Sequence, residues 1–218
     1  MIDENEKSLV TADGRVFRRF ISFLFRHTGK SIQIYVMLSK IRSSGISRQK
    51  DRLRDMKTTA IFPGSFDPLT LGHLNIIEKA SRLFGRIIIG VLPNNAKTPL
   101  FSADERVKMI AEVVEKFGNV EVKCFDGLLV DFVREEQADC VIRGIRNMTD
   151  FDYEVRMSQV NQKMLPSYET VFLITDSIYS CISSTDVRSG VRYGVDLRDF
   201  VPPRVNELIR EKYKENYK

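Results

Sequence analysis

From residue 58 onward, short runs of β-branched and aliphatic residues alternate with longer stretches in which apolar residues recur every three or four positions. The runs are typical of parallel strands covered on both faces, and the stretches are typical of amphipathic helices. The predicted strands are residues 58–62, 86–92, 120–125, 140–142 and 170–174. Because strands and helices alternate, the right-handed crossover rule predicts an α/β fold: a Rossmann-like, doubly wound, five-stranded parallel sheet in a single domain.

The helices between the predicted strands have recognisable ends. Leu74, Ile77 and Ala80 recur at helical spacing after Gly72, so the first helix starts near that glycine. Ser102 followed by Glu105 has the pattern of a capping box for the second helix. The third helix is predicted to be short and to end near residue 137, and the fourth to span about 149–163. The fifth is predicted to begin at about 182–185 and to end near 190. The last is predicted to run from 202–203 to the C-terminus.

Residues 1–55 do not continue this rhythm of strands and helices. Residues 42–54 have the Ser- and Arg-rich composition of a linker, and residues 16–25 form one apolar island flanked by arginines. That island is compatible with a membrane-surface helix or a targeting segment, although the acidic start of the chain argues against targeting, or with no function at all. Because Met56 directly precedes the first predicted strand, we predict a basic, non-globular N-terminal extension or a misassigned start, followed by a functional domain at residues 56–218.

The charge of the chain, +5 over 218 residues, belongs to this extension. Residues 1–55 carry 12 Lys or Arg against 6 Asp or Glu, whereas residues 56–218 carry 22 against 23. The charge therefore gives no reason to assign nucleic acid to the functional domain. No apolar run reaches the roughly 20 residues that span a bilayer. Three widely spaced cysteines indicate reduced thiols, and we expect a soluble, cytoplasmic protein.

The loop after the first predicted strand concentrates groups that bind phosphate. Residues 61–73 read Ile-Phe-Pro-Gly-Ser-Phe-Asp-Pro-Leu-Thr-Leu-Gly-His. A helix that starts near Gly72 leaves its first N–H groups unpaired, and this end attracts anions. Ser65, Thr70 and His73 add side-chain donors on the loop and the first turn. The segment therefore favours a phosphate site.

Two further loops are expected at the same edge of the sheet. Arg143 and Arg146 flank Gly144 after the fourth predicted strand, and two guanidinium groups on one short loop suit a polyphosphate. Residues 182–185 begin a helix with hydroxyl side chains. Because ligands of open parallel sheets bind beyond the carboxyl ends of the strands, these loops predict one shared anion site.

Two of these segments resemble the signatures of the nucleotidylyltransferase superfamily with the HxGH-type site. Residues 70–73, Thr-Leu-Gly-His, are the variant in which threonine replaces the first histidine, and residues 182–188 match Ile-Ser-Ser-Thr-x-x-Arg. Over essentially all of residues 57–217, the chain resembles the bacterial phosphopantetheine adenylyltransferase family. The resemblance implies transfer of AMP from ATP to 4′-phosphopantetheine, giving dephospho-coenzyme A and pyrophosphate in coenzyme A biosynthesis. It implies direct in-line attack without a covalent enzyme intermediate.

The resemblance also implies a role for individual residues. The residues implied to be catalytic are His73, Lys97 and Arg146. ATP binding falls to Ser65, Phe66, His73, Gly144, Arg146, Glu154, Ser183, Ser184 and Thr185. Binding of 4′-phosphopantetheine falls to Ser65, Lys97, Gly127, Leu128, Leu129 and Arg143. Mg²⁺ is expected to arrive with ATP rather than in a dedicated protein site, and the family implies a homohexamer with feedback by coenzyme A.

Other functions remain compatible with parts of this pattern. An enzyme with the same fold could use nicotinate mononucleotide or glycerol phosphate as the acceptor, but Arg143, Arg146 and residues 127–129 favour pantetheine. A nucleotide-binding regulator without turnover is expected to lose His73 or the arginine pair, and this chain keeps them. Nucleic-acid binding through residues 1–55 would show strongly salt-dependent affinity.

Overall fold

Six parallel strands form a single sheet in the computed structural model, which describes residues 34–36, 58–93 and 99–217. The strands are β1 (Ile34–Val36), β2 (Thr59–Gly64), β3 (Arg86–Val91), β4 (Val120–Cys124), β5 (Cys140–Ile145) and β6 (Thr170–Ile174). Their order across the sheet is β1-β6-β5-β2-β3-β4. The five predicted strands are confirmed, and β1 is an additional strand that the sequence reasoning did not predict.

Strand β1 comes from the N-terminal extension and pairs with the edge of β6. Ile34 lies opposite Val171 and Val36 lies opposite Leu173. The run is only three residues long, so the period of apolar positions could not identify it. The other residues of 1–57 lie outside the described part of the chain. The predicted non-globular extension, the apolar island at 16–25 and the start at Met56 therefore stay predictions.

Six α-helices cover the sheet in the described residues. They are α1 (Leu71–Ser81), α2 (Ala103–Val114), α3 (Leu129–Glu135), α4 (Met148–Met164), α5 (Ser184–Arg192) and α6 (Pro203–Lys212). The last helix was expected to reach the C-terminus, and that expectation was wrong: the α-helix stops at Lys212 and a 3₁₀ turn follows at Lys214–Tyr217. At the stop, the hydroxyl of Tyr213 donates to the carbonyl of Leu100, which ties this end to the loop before α2. Within the described residues, no helix has the length and apolar composition needed to cross a membrane.

The core lies on both faces of the sheet, as a doubly wound fold requires. Along β2, Ala60 and Phe62 pack into a larger cluster with α1, α2, α5 and α6. Ile61 points to the opposite face, where it packs into a smaller cluster with Phe132 of α3. Alternate residues of one strand therefore serve two hydrophobic layers, which explains why the central strands read as continuous apolar runs.

The strand order places a crevice at the carboxyl ends of β2 and β5. From β2 the chain proceeds to β3 and β4 on one side, and from β5 it proceeds to β6 on the other side. Ligands of open α/β sheets bind where the direction of winding changes. Here α1 approaches β5 very closely: a Cβ added to Gly144 would lie 2.9 Å from Cγ1 of Ile76. Glycine at 144 therefore lets the helix that carries His73 pack against the end of β5.

Candidate active site

A cavity of about 420 Å³ lies at this crevice. Its wall includes parts of the loop after β2, the first turns of α1 and α5, and the segment from β5 into α4. Its charged groups are Arg106, Arg143, Arg146, Arg188, Asp67, Asp150 and Glu154. Arginines outnumber carboxylates, and three helix N-termini meet at the wall, so the cavity favours a polyanionic ligand.

Most of the predicted site residues lie together in this wall. They are Ser65, Phe66, His73, Arg143, Gly144, Arg146, Glu154, Ser183, Ser184 and Thr185. Residues 127–129 do not line the cavity; they follow β4, two strands away from β2 at the same edge of the sheet. Lys97 lies outside the described residues. The convergence of separate loops is thus observed, while the role of each residue stays a prediction.

His73 is held in one orientation by the cap of α1. The side chain of Thr70, the N-cap residue, accepts a hydrogen bond from the backbone N–H of His73, and Nδ1 of His73 accepts one from the backbone N–H of Thr70 at 3.1 Å. The edge of the imidazole packs against the ring of Phe66, with 5.1 Å between centroids. Because a ring nitrogen that accepts a hydrogen bond carries no proton, the neutral ring has its proton on Nε2, which is available as a donor.

The surroundings of His73 keep this side chain neutral. Burial, and secondarily the positive charge of Arg146, lower the pKa of His73 to about 4. Because this value lies well below neutral pH, the ring carries no charge at pH 7.

Phe66 forms a wall of the site through its packing. Its side chain is only 1% exposed and packs between Phe62 and His73. Its φ of 46° lies in the left-handed region, which a bulky residue adopts only when its surroundings hold it there.

Arg143, near the end of β5, and Arg146, just after it, are each paired with a carboxylate of α4. Both nitrogens on one edge of Arg143 donate to Glu154, with Nη2 at 2.6 Å from Oε1. Nε of Arg146 donates to Oδ2 of Asp150 at 2.8 Å, and its Nη1 donates to the carbonyl of Ile182 at 3.1 Å. Glu154 thus pairs with Arg143 in this structure, and the sequence had assigned these two residues to different substrates.

Asp150 is a residue of the site that the sequence reasoning missed. It lies in the first turn of α4, four residues after Arg146, and Asn147 caps that turn by accepting from the N–H of Asp150 at 2.9 Å. A carboxylate four residues from an arginine at a predicted helix start is a signal that could have found it.

The start of α5 is docked onto the loop after β2. The hydroxyl of Ser184 donates to the carbonyl of Pro68 at 2.9 Å, and Nη1 of Arg188 donates to the carbonyl of Asp67 at 2.7 Å. Ser183 is the N-cap residue, and the first N–H groups of the helix have no partner inside it. This end of α5 therefore presents donors to the cavity.

Asp67 braces the loop that leads into α2. Its two carboxylate oxygens accept from the backbone N–H groups of Leu100 and Phe101, both at 2.9 Å, and the residue is 6% exposed. Asp67 therefore supports this loop through its two backbone hydrogen bonds. Among the described residues, no group of three metal-ligating side chains clusters anywhere.

Arg106 is a second residue of the wall that the sequence reasoning missed. It is 3% exposed, and its Nη1 donates to the carbonyl of Ser65 at 2.6 Å. It lies one turn before Met109 and Ile110, which are buried. A charged side chain on the core-facing side of an amphipathic helix was the available signal.

Comparison with known proteins shows the family to which this chain is similar. Residues 61–190 match the family model described as cytidylyltransferase-like. Over 154 residues, the chain is 47% identical to phosphopantetheine adenylyltransferase of Clostridium botulinum strain Hall, which covers 71% of this chain and 94% of that protein. The protein of the same name from strain Langeland is 46% identical with the same coverage.

Solved structures show the same fold at low sequence identity. A putative nicotinate-nucleotide adenylyltransferase from Vibrio parahaemolyticus superimposes with a TM-score of 0.56 and 21% identity, covering 73% of this chain and 97% of that chain. A bifunctional NMN adenylyltransferase/ADP ribose pyrophosphatase from Francisella tularensis gives a TM-score of 0.57 and 16% identity, covering 74% of this chain and 53% of that chain. These likenesses establish the architecture.

Proposed function

This chain belongs to the phosphopantetheine adenylyltransferase family of cytidylyltransferase-like proteins, and we propose how its cavity carries out the reaction of that family. The enzyme transfers the adenylyl group of ATP to 4′-phosphopantetheine, and the products are dephospho-coenzyme A and pyrophosphate. The observation that carries the proposed mechanism is the neutral His73, whose Nε2–H is held available in the same wall as Arg146 and the start of α5.

The proposed chemistry is direct in-line transfer. A phosphate oxygen of 4′-phosphopantetheine attacks the α-phosphorus of ATP, the bond from that phosphorus to the bridging α–β oxygen breaks, and pyrophosphate leaves with the electron pair. The attacking oxygen is already anionic, so the protein needs neither a nucleophile nor a strong general base. Its task is to align two polyanions and to stabilise charge on the transferring group.

In this proposal His73 donates from Nε2 to an oxygen of the transferring phosphate. A neutral donor costs no change of protonation during the reaction, and its surroundings are fixed in advance by the cap of α1. Lys97 would act with His73 on the transferring group. Arg146 supplies permanent positive charge next to the imidazole, and Asp150 holds its guanidinium in place.

The two substrates are proposed to occupy the two halves of the crevice. ATP lies toward β5 and β6, where Gly144, Arg146, Glu154 and residues 183–185 bind the nucleotide, together with backbone groups of the loop after β2. The pantetheine arm of the acceptor lies toward β3 and β4, along residues 127–129, and its phosphate lies between the two halves, at Ser65, Lys97 and Arg143. Because Arg143 is occupied by Glu154 in this structure, a phosphate would use its remaining N–H groups or displace the carboxylate.

Mg²⁺ is proposed to enter as part of Mg·ATP. The described residues form no cluster of metal-ligating side chains, so phosphate oxygens and water would be its ligands. When bound, the ion neutralises charge on the polyphosphate, and none of the steps assigned to protein residues above depends on it.

The assembly and regulation are proposed from the family. We expect a cytoplasmic homohexamer that is inhibited by coenzyme A, which shares the pantetheine arm of the acceptor. Light scattering coupled to size-exclusion chromatography measures the subunit number directly. A mass other than six subunits would contradict the first expectation, and unchanged rates in the presence of coenzyme A would contradict the second.

Product analysis tests the proposed function. The protein is incubated with ATP, Mg²⁺ and 4′-phosphopantetheine, and pyrophosphate and dephospho-coenzyme A are measured, with acceptor-free reactions as the control. Parallel reactions with nicotinate mononucleotide and glycerol phosphate test the other acceptors. Pyrophosphate release that does not depend on 4′-phosphopantetheine, or a higher kcat/KM with another acceptor, would overturn the assignment.

A further inference from the structure

The β6–α5 loop (residues 175–183) reaches the cavity wall at both of its ends. Thr175 lines the cavity at the start of this loop, and Ile182 lines it near the end. Between them the chain makes a 3₁₀ turn at Ser177–Tyr179. Arg146 holds the end of the loop by donating to the carbonyl of Ile182 at 3.1 Å. The start of the loop is held by a different group of residues.

Asp176 fastens the start of this loop to α1. The side-chain amide of Asn75 donates to Oδ2 of Asp176 at 2.8 Å, and the side-chain carbonyl of Asn75 accepts from the backbone N–H of Asp176 at 3.0 Å. Asn75 is only 9% exposed, and one residue of the loop satisfies both of its polar groups. Two hydrogen bonds to the same residue fix the orientation of Asp176 as well as its position.

Lys79, one turn further along α1, adds a charge to this contact. Its Nζ donates to Oδ1 of Asp176 at 2.8 Å and to the carbonyl of Ile174, the last residue of β6, at 2.5 Å. Asp176 is the N-cap residue of the 3₁₀ turn, but its carboxylate turns to α1 instead of capping that turn. We call Asn75, Lys79 and Asp176 the α1 clamp.

The α1 clamp lies on the helix that carries His73. Asn75 is two residues after His73, and Gly72 precedes it. The backbone of Tyr179 lies beside the first turn of this helix, since a Cβ added to Gly72 would be 3.6 Å from the carbonyl oxygen of Tyr179. The β6–α5 loop therefore packs along α1 before the chain enters α5.

We propose that the α1 clamp positions the β6–α5 loop, and with it the N-terminus of α5, for the polyphosphate of ATP. The three clamp residues are positioning residues, because they lie outside the cavity wall that the described residues form. This inference rests on the proposed function, which assigns residues 183–185 to ATP alone. The side-chain hydrogen bonds of the clamp stay within α1, β6 and the loop, and they involve none of the residues proposed for the acceptor.

Loss of the clamp should weaken ATP binding only in part, because the loop keeps its other anchors. Arg146 still holds Ile182, and Ser184 still docks α5 onto Pro68. If a variant keeps the loop in place for about a fifth of the time, the apparent Kd of ATP rises about fivefold. Bound ATP restores the arrangement, so kcat at saturating ATP should stay within about twofold of wild type. A clamp that only stabilised α1 would instead lower kcat through His73.

Asp176→Ala and Lys79→Met test the proposal, with Asp196→Ala as the matched control. The side chains of Asp176 and Asp196 are similarly exposed, 52% and 45%, and each pairs with a basic residue, but Asp196 lies outside the described cavity wall and the clamp. Calorimetry measures the Kd of the unreactive α,β-methylene analogue of ATP, and steady-state kinetics measure both KM values.

For both clamp variants we expect the Kd of the analogue and the KM for ATP to rise about fivefold or more. The KM for 4′-phosphopantetheine should change by less than about twofold. The control variant Asp196→Ala should keep the wild-type values of all three quantities.

Hydrogen exchange of the loop amides gives a second readout that does not depend on turnover. The backbone N–H groups of Asp176, Tyr179 and Ile182 are hydrogen-bonded in this structure. Exchange across residues 176–182, followed by mass spectrometry, should be faster in both clamp variants than in Asp196→Ala. If Asp176→Ala does not fold, Lys79→Met decides by itself, since wild-type exchange or a wild-type Kd of the analogue in that variant would overturn the proposal.

The outcomes separate this inference from the proposed function. Unchanged exchange in the clamp variants would show that the clamp does not hold the loop. Faster exchange with an unchanged Kd of the analogue, an equal rise in the KM of both substrates, or a fall in kcat alone would overturn the positioning role. If the wild-type protein binds the analogue but forms no dephospho-coenzyme A, the proposed function fails, and exchange and Kd still decide on the clamp. A wild-type protein that does not bind the analogue would overturn both.

Discussion

At the scale of single residues, His73 shows how a common side chain acquires one defined state. The N–H of Thr70 occupies Nδ1, burial removes the charge, and the ring packs against Phe66. Each effect has a different source, but together they leave one neutral ring with one available proton. That state suits a donor to a phosphate that passes from one anion to another.

Replacing His73 by alanine tests this role. We expect turnover to fall by about 10²-fold or more, as for loss of a positioned donor to the transition state. ATP binding, measured by calorimetry, should remain largely intact because several other loops hold the nucleotide. His73→Gln, which retains an N–H donor, should recover part of the rate. Wild-type turnover in His73→Ala would show that the central assignment is wrong.

The lowered pKa of His73 predicts a dependence of stability on pH. The side chain has a pKa of about 4 in the folded protein and about 6.5 in the unfolded chain, so between these values the unfolded state binds more protons. The contribution is fully present above pH 6.5 and is lost as the pH falls through 4. Its size is at most about 3 kcal/mol.

Urea unfolding at pH 7 and pH 4.5 measures this contribution. Because carboxylates also titrate in this range, the comparison is between wild type and His73→Asn, which has no titrating ring. Wild type should lose more free energy of unfolding than the variant. An equal loss in both proteins would contradict the depressed pKa of His73. A pH–activity profile of the wild type with a titration near pH 6.5 would contradict it as well, if that titration is missing in His73→Asn.

Gly144 is required by space rather than by backbone conformation. A Cβ at this position would lie 2.9 Å from Cγ1 of Ile76, which is 2% exposed. Gly144→Ala should therefore lower the free energy of unfolding by about 1 to 3 kcal/mol through overpacking, and it should lower kcat because α1 carries His73. Gly72→Ala is the control for stability, since its nearest atoms are at 3.6 Å. Equal stability of the two variants by denaturant unfolding would refute this explanation.

At the scale of elements, the N-termini of three helices form much of the cavity wall. α1, α4 and α5 each begin at the cavity, and each has an N-cap side chain that accepts from its first turn: Thr70, Asn147 and Ser183. Caps stabilise the helices and leave the outermost N–H groups for a ligand. The same residues therefore stabilise the three helices and leave N–H donors at the cavity.

The Thr70 cap links stability to catalysis in one variant. Thr70→Val keeps the shape of this 1% exposed side chain but removes the hydroxyl that accepts from the N–H of His73, so the free energy of unfolding should fall by about 1 kcal/mol. kcat should fall as well, since the first turn that orients the imidazole is loosened. Thr70→Ser restores the acceptor and should restore both quantities. Denaturant unfolding and steady-state kinetics measure them; a stable but inactive Thr70→Ser would contradict the cap as the cause.

At the scale of the whole molecule, the strand order of the sheet determines where the cavity lies. β2 and β5 lie side by side at the centre, and the chain winds away from them in opposite directions. This order brings residues that are far apart in sequence, such as Ser65 and Ser184, to the same cavity. Among the described residues, those that line the cavity run from Phe62 onward, and the strand Ile34–Val36 is not one of its walls.

Truncation to residues 56–218 tests the separation of the extension from the site. We expect kcat and both KM values to stay within about twofold of the full chain, because none of the described residues that line the cavity is removed. The melting temperature should fall slightly, since the pairing of β1 with β6 is lost. Any affinity for nucleic acid should vanish with the basic segment. A large loss of activity would show that the extension contributes to the site.

The sequence by itself determined five of the six described strands, the helices between them and the edge of the sheet at which the candidate site lies. Local signals suffice for these features, because each extends over only a few residues. Examples are the period of apolar positions, the capping box of Ser102 and Glu105, and Gly72 at the start of a helix.

Only the tertiary structure decided how the charges are paired. Arg143 and Glu154, Arg106 and Ser65, and Asp67 and Phe101 are 11, 41 and 34 residues apart, so no local pattern could join them. The short strand β1 likewise depends on the exposed edge of β6 and not on its own three residues. Hydrophobic periodicity encodes which face is buried, whereas the partners of buried polar groups follow from the packing of distant segments.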